Sequence, residues 1–122
     1  DVPLHKIPLV GRFVGTTEGQ AAEASRFYDN LREIGAHKVE IDGMRRDKRG
    51  AEVAAYIREN KEARLIEMAN SVQRQVSEMQ KRKRELIKKE ASRERIKLMD
   101  QQITARMRML NLRVKKLEEQ ED

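Results

Sequence analysis

The sequence predicts an all-α fold held together by thin helix–helix seams, and three observations carry that expectation. From Lys61 to the end the chain runs without a single Gly or Pro. Within that run the apolar residues return in alternating steps of three and four, the spacing of a helix packed along another helix. Large aromatic side chains, which normally fill a thick core, are scarce: two Phe, two Tyr and no Trp in 122 residues. Charged residues make up 39% of the chain. That level alone would permit disorder, but the regular Leu, Ile, Val and Met spacing argues for folded helices.

Residues 1–16 read as an extended apolar arm. Pro3 and Pro8 push their preceding residues toward extended geometry, and Gly11 and Gly15 punctuate the stretch. Leu4, Ile7, Leu9, Val10, Phe13 and Val14 nevertheless make it the most hydrophobic part of the chain. Such an arm needs a surface, either this chain's own helices or a partner, with a membrane surface as the weaker option.

Residues 17–60 are expected to hold short helices and a connector. Thr16 or Thr17 can cap the first helix, with Glu18 in its first turn. Ala21, Ala24, Phe27, Tyr28, Leu31 and Ile34 then recur at helical spacing, and Gly35 is the expected stop. Residues 36–50 read as an irregular connector, with Val39, Ile41 and Met44 tucked in and Arg45, Arg46, Lys48 and Arg49 in water. Gly50 opens a second helical stretch through Val53, Ala54 and Ile57 to Asn60.

Residues 61–122 carry two apolar seams. The first runs Leu65, Ala69, Val72, Val76, Met79 and Leu86, with Lys83 at one seam position. The second runs Ile96, Met99, Ile103, Met107, Leu110, Val114 and Leu117. Continuing the first register would put Arg93, Lys97, Asp100 and Thr104 on the seam, so the two are out of phase. The slip falls over KKEASRER, where Ser92 can cap a new helix. Two geometries fit: an antiparallel hairpin of two helices about 40–45 Å long, or one broken helix of about 90 Å whose seam rotates.

Little points to catalysis or metal binding. There is no Cys, which removes disulfides, thiolate metal sites and a Cys nucleophile. His5 and His37 stand far apart in the chain; His37 with Glu40 is one pair, too few ligands for zinc, and His37 reads as a solvated connector residue. Gly11 to Gly15 lacks the Lys-Ser/Thr of a phosphate loop, and Asp42-Gly43 lacks the alternating acids of a calcium loop. The carboxylates alternate with Lys and Arg, as in the i,i+4 pairs Glu78–Arg82 and Glu85–Lys89, the pattern of a solvated face. No enzyme activity, cofactor or small-molecule substrate is expected of this segment. No apolar run reaches the roughly 18 residues of a membrane span, and no signal peptide is evident.

The net charge of +6 is local. Residues 80–97 hold Lys81, Arg82, Lys83, Arg84, Lys88, Lys89, Arg93, Arg95 and Lys97 against Glu85, Glu90 and Glu94, and everywhere else the two signs cancel at 18 each. This window suits nucleic-acid phosphates, an acidic protein partner, or plain solubilising surface. No aromatic residue interleaves with it, so a nucleic-acid contact would be to backbone and insensitive to sequence.

The order of pieces is suggestive: an IPLVGRFVG arm, a helix with Phe27-Tyr28, then GAEVAAYIRENKE with Tyr56 and Asn60, the Ser92 break, and ITARMRMLNLRVKKL with Leu110-Asn111. Over most of the chain this resembles the C-terminal helical region of the large internal virion proteins of tailed bacteriophages, the polyvalent or ejection proteins packaged with the genome. The resemblance implies a structural role inside the virion and delivery to the host envelope. Its partners would be portal, tail or ejection proteins met through the helical seams, with self-association and non-specific DNA contact also open to it. None of the shared motifs is catalytic, so no enzymatic residue carries over. The missing initiator Met and the acidic ending EEQED fit a C-terminal piece of a longer polypeptide. The rival expectation is a cytoplasmic coiled-coil adaptor or a non-specific nucleic-acid-binding module.

Overall fold

Residues 17–120 are described in the computed structural model, and they are helical almost throughout, with no strand among the described residues. The helices are α1 (Thr17–Arg46), α2 (Val53–Glu59), α3 (Ile66–Lys88) and α4 (Arg93–Glu119), with 3-10 turns at Gly50–Glu52 and Lys61–Leu65. The apolar arm over 1–16, with Leu4, Ile7, Leu9, Val10, Phe13 and Val14, lies outside the described residues.

Gly35 does not end a helix, contrary to the sequence expectation. α1 runs 30 residues, about 45 Å, through Gly35 and most of the expected connector. Phe27, Ile34 and Ile41 fall seven residues apart and are all buried, so one continuous face keeps its partners past the glycine. A glycine inside a helix costs about 1 kcal/mol relative to Ala, too little to outweigh burial of Ile41 and Met44 beyond it. Val39, expected inside, is 68% exposed.

α1 ends where the chain turns left-handed. Lys48 has φ 60°, its N–H donates to the Arg45 carbonyl, and the Arg49 N–H reaches back to the Met44 carbonyl at 2.7 Å. This is a Schellman ending, made here without glycine. The 3-10 turn at Gly50–Glu52 and then α2 bring the chain back so that Ile41, Met44, Val53 and Ala63 form a small second core. α2 stops at Asn60 (φ −125°, ψ 82°), whose side-chain amide donates to the Tyr56 carbonyl at 2.9 Å. Asn competes with the helix by bonding nearby backbone, so the α-helix expected from Lys61 starts only at Ile66, after a 3-10 turn.

α3 and α4 are separate helices joined by a tight turn, not one rod. Glu90 takes φ 55°, its N–H donates to the Ile87 carbonyl, and the Ala91 N–H donates to the Leu86 carbonyl at 2.9 Å, a second Schellman ending. Ser92 follows as N-cap, its hydroxyl accepting from the Arg95 N–H at 3.3 Å. The main core collects Leu65, Ala69, Val72, Val76 and Met79 from before and along α3, Ile103, Met107, Leu110 and Val114 from α4, and Phe27 and Ile34 from α1. The two heptad runs therefore fill each other, and α1 supplies the third side. Phe27 and Leu110 are fully buried, each contributing about 1.5–3 kcal/mol by area.

Candidate nucleic-acid interface

The turn between α3 and α4 gathers the basic window at one end of the bundle. Lys81, Arg82, Arg84 and Lys88 are exposed on the last turns of α3, Lys89 opens the turn, and Arg93, Arg95 and Lys97 are exposed on the first turns of α4. Lys83 differs. It occupies a seam position, is half-buried, and its Nζ sits 2.7 Å from Asp100 Oδ1 across the α3–α4 boundary. Lys83 is thus a structural cation whose charge is already matched. The helical pairs Glu78–Arg82 and Glu85–Lys89 are not closed; Lys83–Asp100 is the one ion pair of this end among the described residues. Ile87 and Leu98 stand 52% and 46% exposed among these cations. The window itself holds no aromatic residue, but α1 brings exposed Tyr28 to its start, where the Tyr28 hydroxyl accepts from Gln80 Nε2 at 3.3 Å.

Two polar clusters escaped the sequence reading. Between α1 and α4, the Asn111 side-chain amide donates to Glu23 Oε2 at 2.8 Å and to the Glu23 carbonyl at 3.0 Å, while its oxygen accepts from Asn30 at 2.8 Å. Arg108 closes the set with a 2.5 Å contact to Glu23 Oε1. Glu23, Asn30 and Asn111 are all buried. The available signal was the seven-residue spacing of Glu23 and Asn30, on the same side of α1 as Phe27. Nearby on α4, burial draws the Arg106 guanidinium below its ordinary pKa.

The second cluster corrects the reading of His37 as a solvated residue in a connector. It lies half-buried within α1, its Nδ1 2.7 Å from the Tyr56 hydroxyl, with the rings edge-to-face at 5.7 Å. Burial, and then the charge of Glu40, holds the Tyr56 hydroxyl above its ordinary 10.0. Glu62 is also raised, by burial first and then by Glu33, with His37 opposing and Glu118 adding. Among the described residues, no group of three or more His, Cys, Asp or Glu is arranged to hold a metal ion.

No family model, no curated protein and no solved structure matches the chain. The likeness to phage internal virion proteins therefore stands on the quoted residues alone. Among the described residues, no helix is long and apolar enough to cross a membrane.

Proposed function

We propose that this chain is a non-catalytic structural element: a helical bundle whose last two helices form an antiparallel hairpin, with a basic tip that contacts the phosphate backbone of DNA. The observation that supports this is the clustering at one end of eight exposed cations, with only Lys83 of the window engaged by a carboxylate among the described residues. Phosphates attract such a surface without reading sequence. The resemblance supplies the setting, an internal ejection protein carried in a tailed-phage particle and passed to the host envelope.

The seams that the sequence offers to neighbouring proteins are filled by α1, α3 and α4 themselves. Contacts with portal, tail or ejection proteins are therefore assigned to the apolar arm over 1–16 and to exposed surface, not to the seams.

The test is titration of fluorescent duplex DNA of arbitrary sequence with the chain at several salt concentrations. Binding that weakens steeply with salt, and that disappears when the exposed cations of 81–97 are replaced by Gln, is expected. An absence of binding at low salt would end the DNA reading and leave the adaptor reading in its place.

A further inference from the structure

α4 is buried all the way round along one stretch. Ile103, Thr104, Ala105, Arg106 and Met107 are consecutive, and none is more than 7% exposed. Five consecutive residues span more than a full turn, so this part of α4 has no side left for water. α3 shows the ordinary pattern, with Ala69, Val72, Val76 and Met79 buried three or four apart and the opposite face in solvent.

Two sides of the stretch are accounted for by α3 and α1. Ile103, Met107, Leu110 and Val114 face the main core, and Asn111 and Arg108 meet α1 through Glu23. Ala105 lies about 160° round the helix from Ile103 and about 120° from Asn111, so it points away from both. It is nevertheless fully buried. It stands at the middle of a row, Leu98–Gln102–Ala105–Met109–Leu112, spaced in steps of four and three along α4. Both ends of that row are open, with Leu98 46% and Leu112 37% exposed. Each end is about 10 Å from Ala105 along the axis. Whatever lies over Ala105 is therefore narrow, and crosses α4 instead of running along it.

We propose that residues 1–16 form this cover: the apolar arm crosses the outer side of α4 at Ala105, seated on its own chain. Within the 122-residue chain only residues 1–16 and 121–122 are left to supply it. The far end cannot reach, because Gln120 is about 22 Å beyond Ala105 along α4 and two further residues span about 7 Å. The near end is well placed. α1 and α4 run side by side in the same direction: Glu23 meets Arg108, and further along each helix Glu33 and Glu118 both act on Glu62. Thr17, ahead of Glu23 in α1, stands about level with Gln102. About four extended residues, about 13 Å, carry the chain from there round to Ala105, which puts Phe13 and Val14 at the crossing. Ala105 has no side chain beyond Cβ to hold a backbone off, while Met109 and the stem of Arg106 give Phe13 an apolar bed. This inference is independent of the DNA reading. An arm seated on α4 reaches a neighbouring protein only by leaving Ala105, so a partner that takes the arm uncovers this row.

The chain has no Trp and no Cys, so one of each can be placed as a probe in the full chain. Phe13→Trp should give blue-shifted emission that acrylamide quenches several-fold less than in urea. Adding Ala105→Glu should move that emission to the unfolded value. Adding Lys116→Glu, exposed on the same side of α4 but past the end of the row, should leave it unchanged. Because Ala105→Glu puts a charge at a buried position, Ala105→Cys reads the site with less disturbance. Its thiol should be protected from a maleimide, and Val10→Ser with Phe13→Ser should speed its modification several-fold while a Leu110→Cys thiol in the main core stays protected.

An indole in the Phe13→Trp chain that is quenched as freely as in urea would overturn the proposal. So would an Ala105→Cys thiol that reacts at its unfolded rate. A shielded indole that ignores Ala105→Glu would put the arm elsewhere and overturn the crossing. Shielding that is lost on dilution, with a dimer seen in sedimentation, would seat the arm on a second copy and overturn the same-chain assignment. The DNA titration is read separately, so failure here leaves the DNA reading standing.

Discussion

Single side chains decide how α1 is fixed on α4. Glu23 is buried with its two oxygens divided between Arg108 and Asn111, so removing one donor leaves a desolvated carboxylate without its match. Arg108→Met should cost about 3 kcal/mol in urea unfolding; a change under about 0.5 kcal/mol would mean that the Glu23 carboxylate is solvated. Asn111→Leu leaves Asn30 without its acceptor and should cost about 2 kcal/mol. Glu62 works in the opposite direction. Burial and neighbouring carboxylates raise its pKa above the ordinary 4.5, so the fold disfavours its charged form, and stability falls as pH rises from that ordinary value through the raised one. Glu62→Gln should therefore raise the melting temperature at neutral pH, and the gain should vanish below about pH 4, where the parent carboxyl is protonated in both states. A gain that persists unchanged to about pH 3 would show that charge is not the cause.

At the scale of the helix, the stopping rules explain which parts of the sequence could be read. Gly35 was expected to stop α1 because glycine favours the left-handed ending. The two long helices α1 and α3 instead stop at residues that lack glycine's freedom, Lys48 after α1 and Glu90 after α3. What decides each ending is whether apolar spacing continues, as Ile41 and Met44 continue it past Gly35 and as the register slip interrupts it after Ile87. Ser92 was legible because capping is a local interaction of a side chain with the next turn. Gly35→Ala should stabilise the chain by about 0.5–1 kcal/mol, since an added Cβ meets nothing within 4 Å and the helix interior is relieved of a flexible residue. Glu90→Gly should stabilise by about 1 kcal/mol, by relieving the left-handed backbone and removing an anion from the C-terminal end of α3. Thermal unfolding of both variants checks the pair, and a loss of stability in either would contradict the account of that ending.

For the molecule as a whole, the two seams of 61–122 were legible because a heptad spacing states which residues meet. The seam residues Val72, Val76, Met79, Ile103, Met107, Leu110 and Val114 are buried together. Less legible was the third side. α1 joins that core through Phe27 and Ile34, and through Glu23 and Asn30, polar positions that no apolar pattern announces. Long-range partners such as His37 with Tyr56 depend on how the chain returns from α1 to α3, which local spacing does not encode. The basic window was legible as composition, but the pairing of Lys83 with Asp100 depends on how α3 and α4 meet, which composition does not encode. Everything proposed for this end of the molecule requires the chain to fold back at residues 89–92. The direct test is the distance between spin labels at the exposed positions Glu67 and Lys116, near the far ends of α3 and α4. Folded back, with packed helix axes about 8–10 Å apart, the labels should lie within about 25 Å of each other. A distance of roughly 74 Å, that of one uninterrupted helix spanning the same residues, would contradict the account.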